Sequence, residues 1–315
     1  MSDGLVLRLW RLAALLRHPK LHAIYVRRAR RMPDVALPRG YSERMLWRKL
    51  FDRNPLFVTF ADKLATKDWI RSRCPDLPIP RTLWVGSDPA DIPPELIRPG
   101  VAVKANHGSS FNLLIRDTVP DRSQLVALCR RWLSTDWGRH HGEWHYGHVQ
   151  RRIFLEELVG GDAPLVDIQI RAGGGRVGLC STVLYAKTQG QRVRYMDPSG
   201  QVVMLGLDPG TLIPHSVIRP DTLQRAVDAA RQLSVGVDFA RFDFLSDGEQ
   251  LWAGEVTLFP ATGYGDFEGE ALSLVMEAWD LRDSWFLRDG GAGGGWLKRR
   301  YRAALMRILQ AERAL

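Results

Sequence analysis

Apolar and polar residues alternate most regularly over residues 239–245 and 250–259, two runs that flank the turn Ser246, Asp247, Gly248, Glu249. Alternation on both sides of an Asp-Gly step predicts a β-hairpin. Side chains in a strand change face at every residue, so Arg241 and Asp243 share one face, and Glu255 and Thr257 share one face of the partner strand. Antiparallel pairing then gathers two carboxylates, a guanidinium and a hydroxyl at one end of a ribbon. Its other face is Phe242, Phe244, Val256 and Leu258. Taken alone, the pattern also suits a surface hairpin with solvated charges.

Similar patterning divides the rest of the chain. Apolar residues at helical spacing run through the N-terminal stretch, interrupted by arginine, and a second helical stretch covers residues 42–50 with Ser42 as its N-cap. A short apolar segment leads into a helix from about Ala61, on which Lys63, Lys67 and Arg71 stack at intervals of four. That stack is either a solvated face or a basic ridge aimed at an anion. Prolines at 78, 80, 89, 93, 94 and 99 mark a loop-rich crossing that holds one strand, residues 82–86. Residues 101–104 and 112–116 read as strands joined by a polar loop, which could close over phosphates through its backbone N–H groups. The loop lacks the order of a P-loop, and as a bare motif it is weak, a loop of one glycine and two serines being more often only a turn. A helix follows from Ser123. Residues 152–159, 165–170 and 177–187 read as strands, Pro220 opens a helix that ends near Ser234, and two more helices cover 270–279 and 297–315.

Composition narrows the choices. Hydrophobic residues make up 45% of the 315 and charged residues 25%, as in a folded globular protein. The net charge of +9 is concentrated at residues 27–31 and 298–302, with no nucleic-acid-binding motif beside it, so nucleic acid is disfavoured as a partner. Three scattered cysteines, Cys74, Cys129 and Cys180, suit neither a disulfide framework nor a cysteine metal site, and fit a reducing, cytoplasmic setting. No apolar run reaches the roughly 18 residues of a membrane span. The basic N-terminal helix either lies on a membrane surface, at its inner face, or packs on protein. His140, His141, His145 and His148 lie among glycines that break any helix able to align them, which favours a surface loop with aromatic anchors over a zinc site.

Taken in order, ADKLATKDWI, IPRTLWVG, VAVKANHGSSFN, FLEELV, VDIQI and RFDFLSDGEQLWAGEVTLFPATG resemble the ATP-grasp superfamily, and within it the proteins similar to TupA, which are associated with surface-polysaccharide biosynthesis. The resemblance covers residues 47–279. It implies an α+β fold in which two subdomains clamp ATP between antiparallel sheets, with extra helices at both ends. The divisions expected are a basic helical extension at 1–46, an N-terminal α/β subdomain at 47–99, a central subdomain with the phosphate loop at 100–160, a metal-binding subdomain at 161–285, and a glycine-rich linker with a basic helix at 286–315.

The resemblance also implies roles. Lys104 stands at the lysine that reaches the α- and β-phosphates, and Asn106, His107, Gly108, Ser109 and Ser110 at the loop that covers them. Glu156, Glu157, Leu158 and Val159 stand at the hinge that receives adenine, with Asp162 a ribose ligand. Asp243 and Glu255 stand at the carboxylates for two magnesium ions, Lys63 at the lysine of the Asp-Lys signature, and Arg241 at the Arg-x-Asp arginine. Thr257 replaces the asparagine common two residues after the second metal carboxylate, as it often does in relatives of TupA. The Asp-Tyr-Lys segment of that family is Asp167, Ile168, Gln169 here, so one cationic contact is missing.

Magnesium prefers oxygen ligands, commonly one or two carboxylates plus nucleotide phosphates. Phosphoryl transfer asks mainly for positioning and charge cancellation, the work implied for Lys104 and Arg241 as catalytic groups. The activity expected is ATP-dependent joining of a carboxylate to an amine through an acyl phosphate, on small-molecule or glycan-precursor substrates. A sugar or lipid kinase and a non-catalytic nucleotide-binding scaffold for glycosyltransferases are the alternatives.

Overall fold

The computed structural model describes residues 2–139, 141–161, 165–186, 188–205, 209–213, 215–265, 267–288 and 294–313. Its frame is two antiparallel sheets. Strands β1 (Thr82–Gly86), β2 (Val101–Ala105), β3 (Asn112–Ile115) and β4 (Ile153–Glu157) form the smaller sheet in the order β1-β4-β2-β3. Strands β5 (Val166–Gly173), β6 (Arg176–Leu184), β7 (Arg192–Met196), β8 (Ala240–Ser246) and β9 (Leu251–Thr257) form the larger in the order β7-β6-β5-β8-β9. The strand β7 falls in a stretch that the sequence pattern predicts as a polar loop.

Each sheet buries one face under helices and turns the other toward its counterpart. On the larger sheet Ile168, Ile170, Phe242 and Phe244 are almost wholly buried, packed with α7 (Pro220–Leu233) and α8 (Gly269–Ala278). Along α7 the buried residues Leu223, Ala226, Val227, Ala230 and Leu233 recur at three- and four-residue steps, one stripe of a 3.6-residue helix. On the smaller sheet Val101, Val103, Ile153 and Leu155 pack with Leu125, Cys129 and Trp132 of α6 (Arg122–Ser134). Alternation then leaves Lys104, Phe154 and Glu156 on the inner side, and on the larger sheet Asp167, Gln169, Arg241 and Asp243.

The ends and the connecting helices complete the fold. Pro19 divides the N-terminal stretch into α1 (Asp3–Arg17) and α2 (Pro19–Ala29). The α1 residues Val6, Leu7 and Trp10 pack against Tyr301, Ala304 and Leu305 of α10 (Trp296–Arg313), together with Trp47 and with Phe286 of α9 (Trp285–Arg288). Helix α3 (Tyr41–Phe51) starts one residue before Ser42, which is therefore not the cap; Glu43 Oε2 accepts from the Gly40 N–H at 3.2 Å. The apolar segment after it is itself a helix, α4 (Leu56–Ala61), and Asp62 caps α5 (Lys63–Arg73) by accepting from the Leu64 N–H at 2.9 Å. Tying α3 to the larger sheet, Arg48 donates to Asp238 at 2.6 Å, both side chains being almost fully buried.

Candidate active site

The inner faces of the two sheets enclose a cavity of about 670 Å³, within the 300–1,000 Å³ range of small-molecule sites. Lys104, Phe154 and Glu156 come from the smaller sheet, Asp167, Arg241, Asp243 and Glu255 from the larger, and Lys63 and Lys67 from α5. A second cavity of about 240 Å³ adjoins it and shares Lys63, Arg241 and Glu255; Gly108, Ser109 and Thr257 line it as well.

A bulge sets the geometry of the β8–β9 hairpin. Arg241 pairs with Thr257 and Phe242 with Val256, but Phe244 pairs with Ala253, so Gly254 and Glu255 together oppose Asp243. The extra residue switches the parity of β9. Leu251 and Ala253 point into the core on one side of it and Val256 on the other, while Glu255 and Thr257 point to the cavities. A Cβ at residue 254 would stand 2.6 Å from the Asp243 carbonyl oxygen, so the bulge requires glycine.

Arg241 grips Asp243 through Nε–Oδ1 and Nη2–Oδ2 contacts, both of 2.6 Å. The Thr257 hydroxyl donates to Asp243 Oδ2 at 3.1 Å. Burial raises the Asp243 carboxyl above its usual range, against the pull of Arg241. For Arg241, burial opposes the charge but Asp243 outweighs it, and the guanidinium is held above its ordinary value. The donors at this end are carboxylate and hydroxyl oxygens, the set a hard divalent cation takes. Among the described residues no three His, Cys, Asp or Glu side chains gather as a metal site. An ion held by Asp243 and Glu255, with the Thr257 hydroxyl beside them, would draw its other ligands from phosphate oxygens or water.

Across the cavity Glu156 joins two lysines. Lys104 donates to Oε1, and Lys67 donates to Oε2 at 2.5 Å and to the Pro80 carbonyl at 2.8 Å. Burial works to raise the Glu156 carboxyl, but Lys104 and Lys67 prevail and hold it below the usual range. The helical stack thus splits. Lys67 is buried, Lys63 reaches the Gly108 carbonyl at 2.5 Å, and Arg71 stays exposed beside Asp68. Lys67 is missing from the site residues inferred from the sequence, although its four-residue spacing from Lys63 carries the signal.

The loop of residues 106–110 is anchored at its base and exposed at Ser110. The Asn106 side chain accepts from the Arg152 N–H at 2.8 Å and donates to the Gln150 carbonyl at 2.9 Å, so it braces the loop from below. His107 is buried, with Nε2 3.2 Å from the Trp132 carbonyl and its pKa pushed down to about 4, mainly by burial. Gly108 has φ +74°, and a Cβ there would meet the Phe111 ring at 2.8 Å. Ser110, with φ 63°, lines the larger cavity. Along the smaller cavity, Ala261 and Thr262 also take left-handed backbone, a strained state for such residues, and Lys49 donates to the Thr262 carbonyl at 2.8 Å.

Several inferred residues lie elsewhere. Glu157 points outward to Arg81, and the Leu158 N–H donates to the Gly100 carbonyl at 2.9 Å; neither they nor Val159 line the cavity. Asp162 and His140 fall outside the described residues. The histidine-rich loop is less superficial than its composition suggests. His145 is 1% exposed and stacks on Phe259, and Glu143 lies 3.6 Å from Lys49.

No curated protein matches the chain. Among solved structures, D-alanine–D-alanine ligase from Bacillus anthracis complexed with ATP is 16% identical over 83% of this chain and 72% of that one, with a TM-score of 0.40. L-amino acid ligase from Bacillus licheniformis is 16% identical over 67% of this chain and 46% of that one, with a TM-score of 0.43. The ATP-grasp ligase PsnB, complexed with its minimal precursor, is 14% identical over 65% of this chain, at a TM-score of 0.35, and the match spans 54% of the PsnB chain. The TupA-like ATPgrasp family profile matches residues 43–276, about three quarters of the sequence. The chain belongs to the TupA-like ATP-grasp family and has the ATP-grasp fold.

Proposed function

We propose that this protein is an ATP-dependent ligase that joins a carboxylate to an amine, using Mg²⁺ and an acyl-phosphate intermediate. The observation that carries the reading is the shared cavity: Lys104 on one sheet faces Arg241, Asp243 and Glu255 on the other across a space of nucleotide size. Solved complexes of D-alanine–D-alanine ligase with ATP and of PsnB with Mg and ADP support the same choice of cofactors.

In the first step a substrate carboxylate oxygen attacks the γ-phosphorus, the bond to the β–γ bridging oxygen breaks, and ADP leaves with that electron pair. In the second, an amine attacks the acyl carbon, phosphate leaves, and the amine nitrogen loses a proton. Lys104, held in place by Glu156, and Lys63 supply positive charge to the phosphates. With Nε and Nη2 on Asp243, Arg241 keeps Nη1 and its positive charge for the phosphoryl oxygens, which fits it to hold the acyl phosphate. Asp243 and Glu255 would hold Mg²⁺, which neutralises charge on the phosphates when bound. Gly108, Ser109 and Ser110 at the loop tip would close over the site and keep water from the acyl phosphate. The assignment of the acceptor to a surface-polysaccharide or sugar precursor rests on family membership alone.

ADP release measured over a panel of carboxylates with hydroxylamine as trap tests the reading. A ligase yields a hydroxamate with its own acid; ADP release on a sugar or lipid hydroxyl with no hydroxamate from any acid would make the protein a kinase.

We also propose attachment to an anionic membrane surface through α1. Leu5, Leu9, Leu12 and Leu16 form an exposed stripe at helical spacing, 46%, 38%, 54% and 73% exposed, beside the exposed Arg8, Arg17 and Lys20. No described helix is long and apolar enough to cross a membrane. Cosedimentation with phosphatidylglycerol vesicles should fall when Leu9 and Leu12 become glutamine; unchanged binding would refute the attachment.

A further inference from the structure

The cavity wall that faces away from Glu255 holds a cation unused by the chemistry above. Arg171 lies on β5 and pairs with Arg241 in the ladder, at a bulge in the β5–β6 register. It is 4% exposed. Among the described residues its side-chain hydrogen bond runs from Nη1 to the Ser181 hydroxyl at 3.3 Å, and its Nε has no partner. Among the described residues no carboxylate forms an ion pair with it. The guanidinium instead lies over the Phe267 ring, 5.1 Å from the centroid. A second orphan stands at the same wall. The Tyr41 hydroxyl is buried without a partner, and the Tyr41 ring packs edge-on against Phe267 at 5.1 Å. Both residues line the larger cavity.

A buried guanidinium with no counter-ion is costly, and so is a buried hydroxyl with no acceptor. Burial and the neighbouring Arg241 push the Arg171 guanidinium below its ordinary value, while burial pushes the Tyr41 phenol up to about 12 and keeps it a donor. Both groups contact Phe267 and line the same cavity, where an anion would supply the partner that each lacks. Position separates it from the metal site. Across the sheet the order is Glu255 on β9, Asp243 and Arg241 on β8, Arg171 on β5 and Ser181 on β6. Arg171 thus stands two strands from Glu255, about 10 Å at the usual strand spacing.

Resting on the ligase reading above, we propose that Arg171 and Tyr41 form the subsite that binds the carboxylate of the acid substrate, with Phe267 as an apolar wall for the carbon next to it. The planar edge of a guanidinium matches a carboxylate, and two aromatic neighbours suit its apolar attachment better than a phosphate dianion. Arg171 would hold the acid beside Arg241, where the γ-phosphate is transferred.

The test uses melting temperature, with acetate as the carboxylate probe, exchanged for chloride at constant ionic strength, and inorganic phosphate in a parallel arm. Acetate should raise the melting point of the wild type. Arg171→Met should lose that rise and melt no lower than the wild type, since it removes a buried charge. Arg171→Lys should keep part of the rise, and both variants should keep the rise produced by Mg²⁺ with a non-hydrolysable ATP analogue. The proposal is overturned if acetate has no effect on the wild type, if Arg171→Met responds as fully as the wild type, or if phosphate alone acts. Loss of the nucleotide response in Arg171→Met would also overturn it, by placing Arg171 in the nucleotide site. Absence of a nucleotide response in the wild type would count against the ligase reading instead, leaving acetate to decide the anion site.

Discussion

Arg241 and Asp243, two residues apart on β8, are joined by paired contacts of 2.6 Å from one planar group to the other. A carboxylate oxygen has two lone pairs, so Asp243 can accept from Arg241 and Thr257 and still offer an oxygen to a cation. The pair therefore fixes the proposed metal carboxylate and aims the arginine with one set of bonds. Arg241→Lys keeps the charge but loses the fork. It should lower the rate of ADP release by roughly 100- to 1,000-fold, the usual cost of one electrostatic stabiliser, while nucleotide affinity stays near that of the wild type. Equal loss of affinity would place Arg241 in ground-state binding.

Glu156 carries a different dependence, because both of its oxygens are committed to lysines and Lys67 is buried. Replacing it with glutamine leaves the Lys67 ammonium without a counter-charge, at about 3–5 kcal/mol for a broken buried pair. Denaturant unfolding of Glu156→Gln should show that loss, and adding Lys67→Met should recover most of it. A single variant as stable as the wild type would show that the cluster is not held by charge.

Asp52 links folding to pH. It sits at the end of α3, where its Oδ1 accepts from the Phe286 N–H at 3.1 Å, and Oδ2 has no partner. Burial, and then Asp238, push its carboxyl up to about 7. An acid whose pKa is higher folded than unfolded stabilises the fold while protonated. That contribution is complete below the ordinary value of 3.8 and is lost as pH rises toward about 7. Asp52→Asn removes the dependence, so its stability relative to the wild type should climb between pH 4 and pH 7 and level off above. Parallel pH profiles for the two proteins would contradict this.

Much of this site is legible in the sequence, for reasons tied to particular residues. Alternation around Asp247 and Gly248 identifies the hairpin, and its polar face gathers Arg241, Asp243, Glu255 and Thr257. The bulge that turns Glu255 toward the cavity is not read from the strict alternation assumed there. Its trace is Gly254, together with the change of buried parity between Ala253 and Val256. Arg171 escapes notice for a related reason: an arginine in an apolar strand is unremarkable until the fold buries it with no ion-pair partner among the described residues. Strand order in the smaller sheet, β1-β4-β2-β3, depends on long-range pairing that no local pattern encodes. The burial of Lys67 follows from that pairing, since β4 brings Glu156 to it.

The central claim is that Asp243 and Glu255 hold a magnesium–nucleotide complex against Lys104. Calorimetric titration of a non-hydrolysable ATP analogue, with and without Mg²⁺, into the wild type, Lys104→Ala and Glu255→Gln tests it most directly. Expected is one Mg²⁺-dependent site in the wild type, weakened at least about tenfold in each variant, about 1.4 kcal/mol, with melting temperatures little changed. Wild-type binding that ignores Mg²⁺, or variants that bind as tightly as the wild type, would contradict it.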